Sequence, residues 1–162
     1  MMSLQKLKTM KYLKEEYKQL NNFSLLNLGV TVGLQKEGDF FHWKISMIGP
    51  QDTPYAGGFF ALTADFPEDY PNRGPNIKFT NKIYHLNIRE NGNINLTTLN
   101  NWKPGTSMTS VIASIFVLFY KQNPSCSYSY EMIEQYKSNR DEFNKNAAAW
   151  TKKFAVHNNV DN

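Results

Sequence analysis

The apolar residues of this chain change period along its length, and that change limits what the chain can fold into. From 3 to about 20 they recur every three or four residues, at Leu4, Leu7, Met10, Leu13, Tyr17 and Leu20. That spacing is one face of a helix, with Ser3 as its N-cap. After Asn21-Asn22 the period falls to two. Phe41, Trp43, Ile45 and Met47 alternate with His42, Lys44 and Ser46, and Phe60, Leu62, Ala64 and Phe66 alternate after the turn signal Ala56-Gly57-Gly58. Each run is a strand with one buried face. Residues 28–34, closed by Glu37-Gly38-Asp39, make an earlier strand, and 77–79 a short later one. Such turn-separated strands predict an antiparallel meander packed on one face by helix, an α+β fold.

The helical period returns after Thr106 or Ser107, either of which can cap the next segment. Met108, Val111, Ile112, Ile115, Phe116 and Phe119 form a broad apolar face there, and Val117 and Leu118 extend it nearly all round. This helix is predicted to be the most buried. Trp43, Phe60, Leu62, Ile115 and Phe119 are expected in the core. Pro124 ends the region, and two more polar helices follow at about 128–137 and 141–154. Residues 85–102 carry no period and are rich in Asn and Gly, which predicts an ordered loop long enough to carry function. With no repeat and no dividing linker, one domain is expected over 1–156, followed by a short tail at 157–162.

Composition narrows the chemistry. The single cysteine, Cys126, excludes an internal disulfide and a multi-cysteine zinc site. His42, His85 and His157 are too scattered to suggest a metal cluster, so neither metal nor cofactor is expected. No apolar run nears the roughly 20 residues that cross a bilayer. The first segment alternates lysines with apolar residues and lacks a signal peptide's apolar core. A soluble protein without a membrane partner, cytoplasmic and/or nuclear, is therefore expected. Lys+Arg of 18 against Asp+Glu of 14 leaves a mild +4. With no recognised nucleic-acid motif, that charge favours an ordinary basic surface or a protein-docking face over nucleic-acid binding. Lys6, Lys8 and Lys11, with Lys14 and Lys18, read either as a solvated helix face or as a basic docking strip.

The motifs are more specific. Ile48-Gly49-Pro50, Thr53-Pro54-Tyr55, Gly57-Gly58 and Phe66-Pro67-Glu68-Asp69-Tyr70-Pro71 occur in that order. They are followed by Pro75, Phe79-Thr80, Ile83-Tyr84-His85, Asn87-Ile88, Gly92, Leu96, Leu99, Trp102, Pro104, Asn123-Pro124 and the run from Ala149 to Ala155. Over about residues 3–156 this order resembles the ubiquitin-conjugating enzymes. The resemblance implies an N-terminal helix, a four-stranded antiparallel meander, a buried crossing helix and two C-terminal helices. It also implies transthiolation: a loop cysteine takes ubiquitin as a thioester, which a substrate lysine then attacks.

The family's cysteine follows a Gly-x-Ile step and precedes Leu. Here the matching run is Gly92-Asn93-Ile94-Asn95-Leu96, so Asn95 occupies the nucleophile position. A carboxamide nitrogen shares its lone pair with the carbonyl and cannot form a thioester; a thiolate can. The family's His-Pro-Asn reads His85-Leu86-Asn87. Asn87, which the resemblance assigns to ordering the loop and assisting the oxyanion, is kept. The missing proline predicts a looser loop. Thr97 replaces an acidic residue, and Cys126 lies at a gate position that is often Asp and helps the attacking lysine. Asn72 stands where relatives commonly carry an aromatic ligase anchor, and Gly105 replaces the alanine beside Pro104 in the second docking loop.

The resemblance thus predicts a ubiquitin-conjugating fold without conjugating activity. Its expected partners are ubiquitin or a ubiquitin-like protein, together with a ubiquitin ligase or an active conjugating enzyme. The family's known cysteine-less variants usually lack the last two helices, which this chain keeps. The alternative is an active enzyme, in which Asn95 is an engineered replacement of cysteine or Cys126 is a relocated nucleophile.

Overall fold

The computed structural model describes residues 1–20 and 23–157. Asn21-Asn22, where the period changes, and all of the expected tail but His157 lie outside them. The chain opens with helix α1 (Leu4–Gln19), whose Ser3 hydroxyl accepts the Lys6 amide and caps the first turn. Short helix α2 (Phe23–Asn27) leads into strands β1 (Val30–Leu34), β2 (His42–Ile48), β3 (Phe59–Asp65) and β4 (Asn76–Phe79). These pair in the order β1-β2-β3-β4, every neighbour antiparallel. A single turn, α3 (Thr97–Asn100), precedes the crossing helix α4 (Met108–Val117), capped by Ser107. Helices α5 (Tyr130–Ser138) and α6 (Arg140–Phe154) complete the chain, and no described helix is long and apolar enough to cross a membrane.

Register explains how the core fills. On the inner face of the sheet Trp43 lies opposite Ala64, Ile45 opposite Leu62 and Met47 opposite Phe60. The largest ring thus faces the smallest side chain, which keeps the layer level. Trp43, Phe60 and Ala64 have no exposure at all. Phe119, just beyond α4, meets the Phe60 ring at 5.2 Å and the Tyr55 ring at 5.6 Å. At the other end of the sheet Tyr17 of α1 stands edge-on to Trp43 at 5.5 Å. The last helix is tied to the sheet through the backbone, as the Phe59 amide donates to the Ala155 carbonyl at 2.9 Å.

The expected core residues Trp43, Phe60, Leu62, Ile115 and Phe119 are all buried. Two expectations are corrected. Leu4 and Leu7, at the N-terminal end of α1 ahead of the packed stripe, are exposed; the stripe that packs is Thr9, Leu13 and Leu20, with Met10 and Tyr17 half-buried against the core. Val117 is 52% exposed, because the sheet covers only one side of α4. Replacing Phe60 with alanine should cost about 3–5 kcal/mol, whereas Val117→Ala should stay within about 0.5 kcal/mol. Urea unfolding of the two variants measures both, and equal losses would contradict this packing.

Candidate functional site

The loop after β4 is docked before it becomes a site. Gly92 adopts φ +89, and a Cβ there would lie 2.0 Å from the Phe79 carbonyl oxygen, so only glycine lets the loop approach β4. The Gly92 carbonyl accepts the Phe79 amide at 3.0 Å. Ile88 and Ile94 form a bridge and are both buried, which pins the two arms of the loop. Asn95 follows that anchor, half-buried, with its backbone amide donating to the Asn87 carbonyl at 2.7 Å.

His85, Asn87, Asn95 and Cys126 form one continuous hydrogen-bonded group. Asn87 is fully buried; its Nδ2 donates to the carbonyls of Asn123 at 2.8 Å and Cys126 at 3.3 Å. Its Oδ1 accepts the Asn123 amide at 2.8 Å. Both carboxamide hydrogens are therefore committed to ordering the loop, and neither is free for an oxyanion in this arrangement. Asn95 Nδ2 donates to the Cys126 carbonyl at 2.8 Å, and Asn95 Oδ1 accepts from Asn100 Nδ2 at 2.5 Å. Cys126 is half-buried as a residue, and its thiol accepts from Asn123 Nδ2 at 3.3 Å, a neutral partner. Thiol activation draws on a nearby cation or base, and no hydrogen bond among the described residues supplies one.

Leu86 corrects the expectation of a loose loop. It is buried, and its amide donates to Gln122 Oε1 at 2.8 Å, a bond that proline has no N–H to make. Gln122 Nε2 in turn donates to the Tyr55 hydroxyl at 2.7 Å, and that hydroxyl donates to the Tyr84 carbonyl at 2.5 Å. Gln122 and Asn100 escaped the sequence reading. A glutamine after an apolar helix and one asparagine among several carry no local signal for their distant partners.

The candidate docking residues lie apart from this group, and Tyr70 joins the segments that carry them. Its buried ring meets Tyr12 of α1 at 5.7 Å and Trp102 at 5.7 Å, and its hydroxyl donates to Glu16 at 2.9 Å. Trp102 Nε1 donates to the Pro71 carbonyl at 2.7 Å, holding the loop with Pro104 and Gly105 against the loop with Asn72. Asn72, Pro104 and Gly105 are exposed. Lys8 and Lys11 are exposed too, whereas Lys6 lies half-buried over the Phe41 ring, 3.6 Å from Glu68. Burial, above all, raises the Glu16 carboxyl, opposed by the hydrogen bonds from Tyr70 and the Met108 amide. Among the described residues no cluster of three His, Cys, Asp or Glu side chains is arranged to hold a metal.

His85 serves as a joint. Its Nδ1 accepts the Asn87 amide at 3.0 Å, so Nε2 carries the proton it donates to the Leu118 carbonyl at 2.7 Å. Burial pushes its pKa down to about 4, against the raising effect of the bond to Leu118. The unfolded chain takes up this proton near pH 6.5 and the folded protein does not until about 4. The stability is whole above the upper value and falls by roughly 3 kcal/mol as pH drops through that window. Urea titrations between pH 7 and pH 4 should show a shallower loss for His85→Gln; parallel curves would exclude a buried neutral imidazole.

One comparison with known proteins bears on this site. The family model described as ubiquitin-conjugating enzyme matches residues 12–151, a span that holds all four strands, the Asn87–Asn95–Cys126 group and the Tyr70 surface. With the antiparallel meander and the helices around it, that match shows that the chain belongs to the ubiquitin-conjugating enzyme family.

Proposed function

We propose that this chain is a non-catalytic member of its family, a binding or regulatory component of ubiquitin or ubiquitin-like protein transfer in the cytoplasm and/or nucleus. The observation that carries this reading is Asn95. The residue at the family's nucleophile position is a carboxamide, hydrogen-bonded to the Cys126 carbonyl and to Asn100. An acyl carrier needs an atom that both attacks and leaves readily, which a thiolate is and an amide nitrogen is not. In this arrangement the Asn87 amide hydrogens are given to the carbonyls of Asn123 and Cys126. The partners under this reading are ubiquitin or a ubiquitin-like protein, with a ligase or an active conjugating enzyme.

The test is a charging reaction with activating enzyme, ATP and ubiquitin, read on a non-reducing gel. The unmodified protein should give no thiol-reducible adduct, and Asn95→Cys should charge slowly at best. A reducible adduct on the unmodified protein that disappears in Cys126→Ser would sink this reading and make Cys126 the nucleophile. The ligase surface makes a separate expectation. Asn72 offers little apolar area at an exposed position where an aromatic anchor would dominate binding. Asn72→Phe should therefore tighten binding to a generic RING domain in titration calorimetry, and unchanged affinity would mean the loop is not used in that way.

A further inference from the structure

The segment around Cys126 is attached to the rest of the site at both ends. At one end the Cys126 carbonyl accepts from Asn95 Nδ2 at 2.8 Å and, more weakly, from Asn87 Nδ2 at 3.3 Å. At the other, the guanidinium of Arg89 lies 3.3 Å from the centroid of the Tyr128 ring. The turn that leads into the first of these attachments, Pro124–Cys126, is a single tight helical turn, with Asn123 accepting the Ser125 amide. Asn87 is buried and already spends its other bonds on Asn123, so it cannot follow an outward movement of the turn. The Asn95 side chain is different: it is half-buried, it reaches across 31 positions of sequence, and Asn100 orients it by holding its oxygen.

We propose that Asn95 is a strap, a side chain whose donated hydrogen bond keeps the turn at Cys126 closed over the residue-95 loop. Cysteine at this position has no comparable strong donor to aim at the carbonyl, since a thiol donates only weakly. The side chain at position 95 therefore joins its own loop to the turn at Cys126. Releasing the strap lets the turn move outward and makes Cys126, a half-buried residue, more accessible. Neither ubiquitin nor any transfer activity enters this inference, so its outcome is separate from that of the charging assay.

Cys126 is the only cysteine in the chain and reports directly on the movement. The rate of its alkylation by iodoacetamide should rise about five-fold in Asn95→Leu, which keeps the volume and removes the donor, as expected for loss of one ordinary hydrogen bond. Asn95→Ala should behave likewise. Asn100→Ala, which leaves the Asn95 donor in place, should raise the rate less. Hydrogen exchange should accelerate at the amides of Ser125 and Cys126 while β2 and β3 keep their protection, which separates local opening from general destabilisation. Unchanged alkylation in both Asn95 variants would overturn the proposal. So would faster exchange spread evenly over the sheet.

Discussion

Asn87 has no contact with solvent, and a carboxamide taken out of water must find partners for all its polar atoms. It finds them on the backbone of a segment far along the chain: the Asn123 amide and carbonyl, and the Cys126 carbonyl. Its own amide is held by His85, and its own carbonyl receives the amide of Asn95. The loop before α3 and the turn after α4 are thus joined through one side chain. Removing either partner would leave buried polar atoms without a bond, at a cost of roughly 1–3 kcal/mol each. The placement of Asn95, Cys126 and His85 all follows from this requirement.

The aromatic core makes such a loop affordable. Tyr55, Phe60 and Phe119 pack on one another between the sheet and the end of α4, and the Tyr55 hydroxyl is carried into that space with the partners it needs, Gln122 and the Tyr84 carbonyl. Gln122 then reaches the amide of Leu86. The same logic recurs at Tyr70, where a buried ring with one hydroxyl joins α1 to the two loops carrying Asn72 and Pro104. In both places an apolar body supplies burial and a single polar tip sets the position of a loop.

Elements whose patterns are local were legible in the sequence. Helix α1 runs Leu4–Gln19 against an expected 3–20, and β2 and β3 bury the residues that alternate. Strand β1 begins at Val30, two residues later than expected. The single-turn helices α2 and α3 were missed because five or four residues are too few to show a period. Leu4, Leu7 and Val117 were misplaced for another reason. Periodicity names the apolar stripe of a helix, but how far the sheet extends beneath it depends on how the two are packed. The departure at Leu86 was visible as a missing proline, whereas its compensation by Gln122 was not, because the two lie 36 positions apart.

By itself the sequence determined the alternation that makes the meander, the apolar face of α4, the family motifs and the identity of the atom at position 95. That last point is covalent chemistry: an amide nitrogen is no thiolate in any fold. Only the tertiary structure decided what Asn95 meets. Its partner is the carbonyl of Cys126, 31 residues away, and every residue brings the same backbone carbonyl to such a bond. Which carbonyl a side chain meets is set by how the sheet, α4 and the buried Asn87 bring two loops together, and no local pattern of residues encodes that distance.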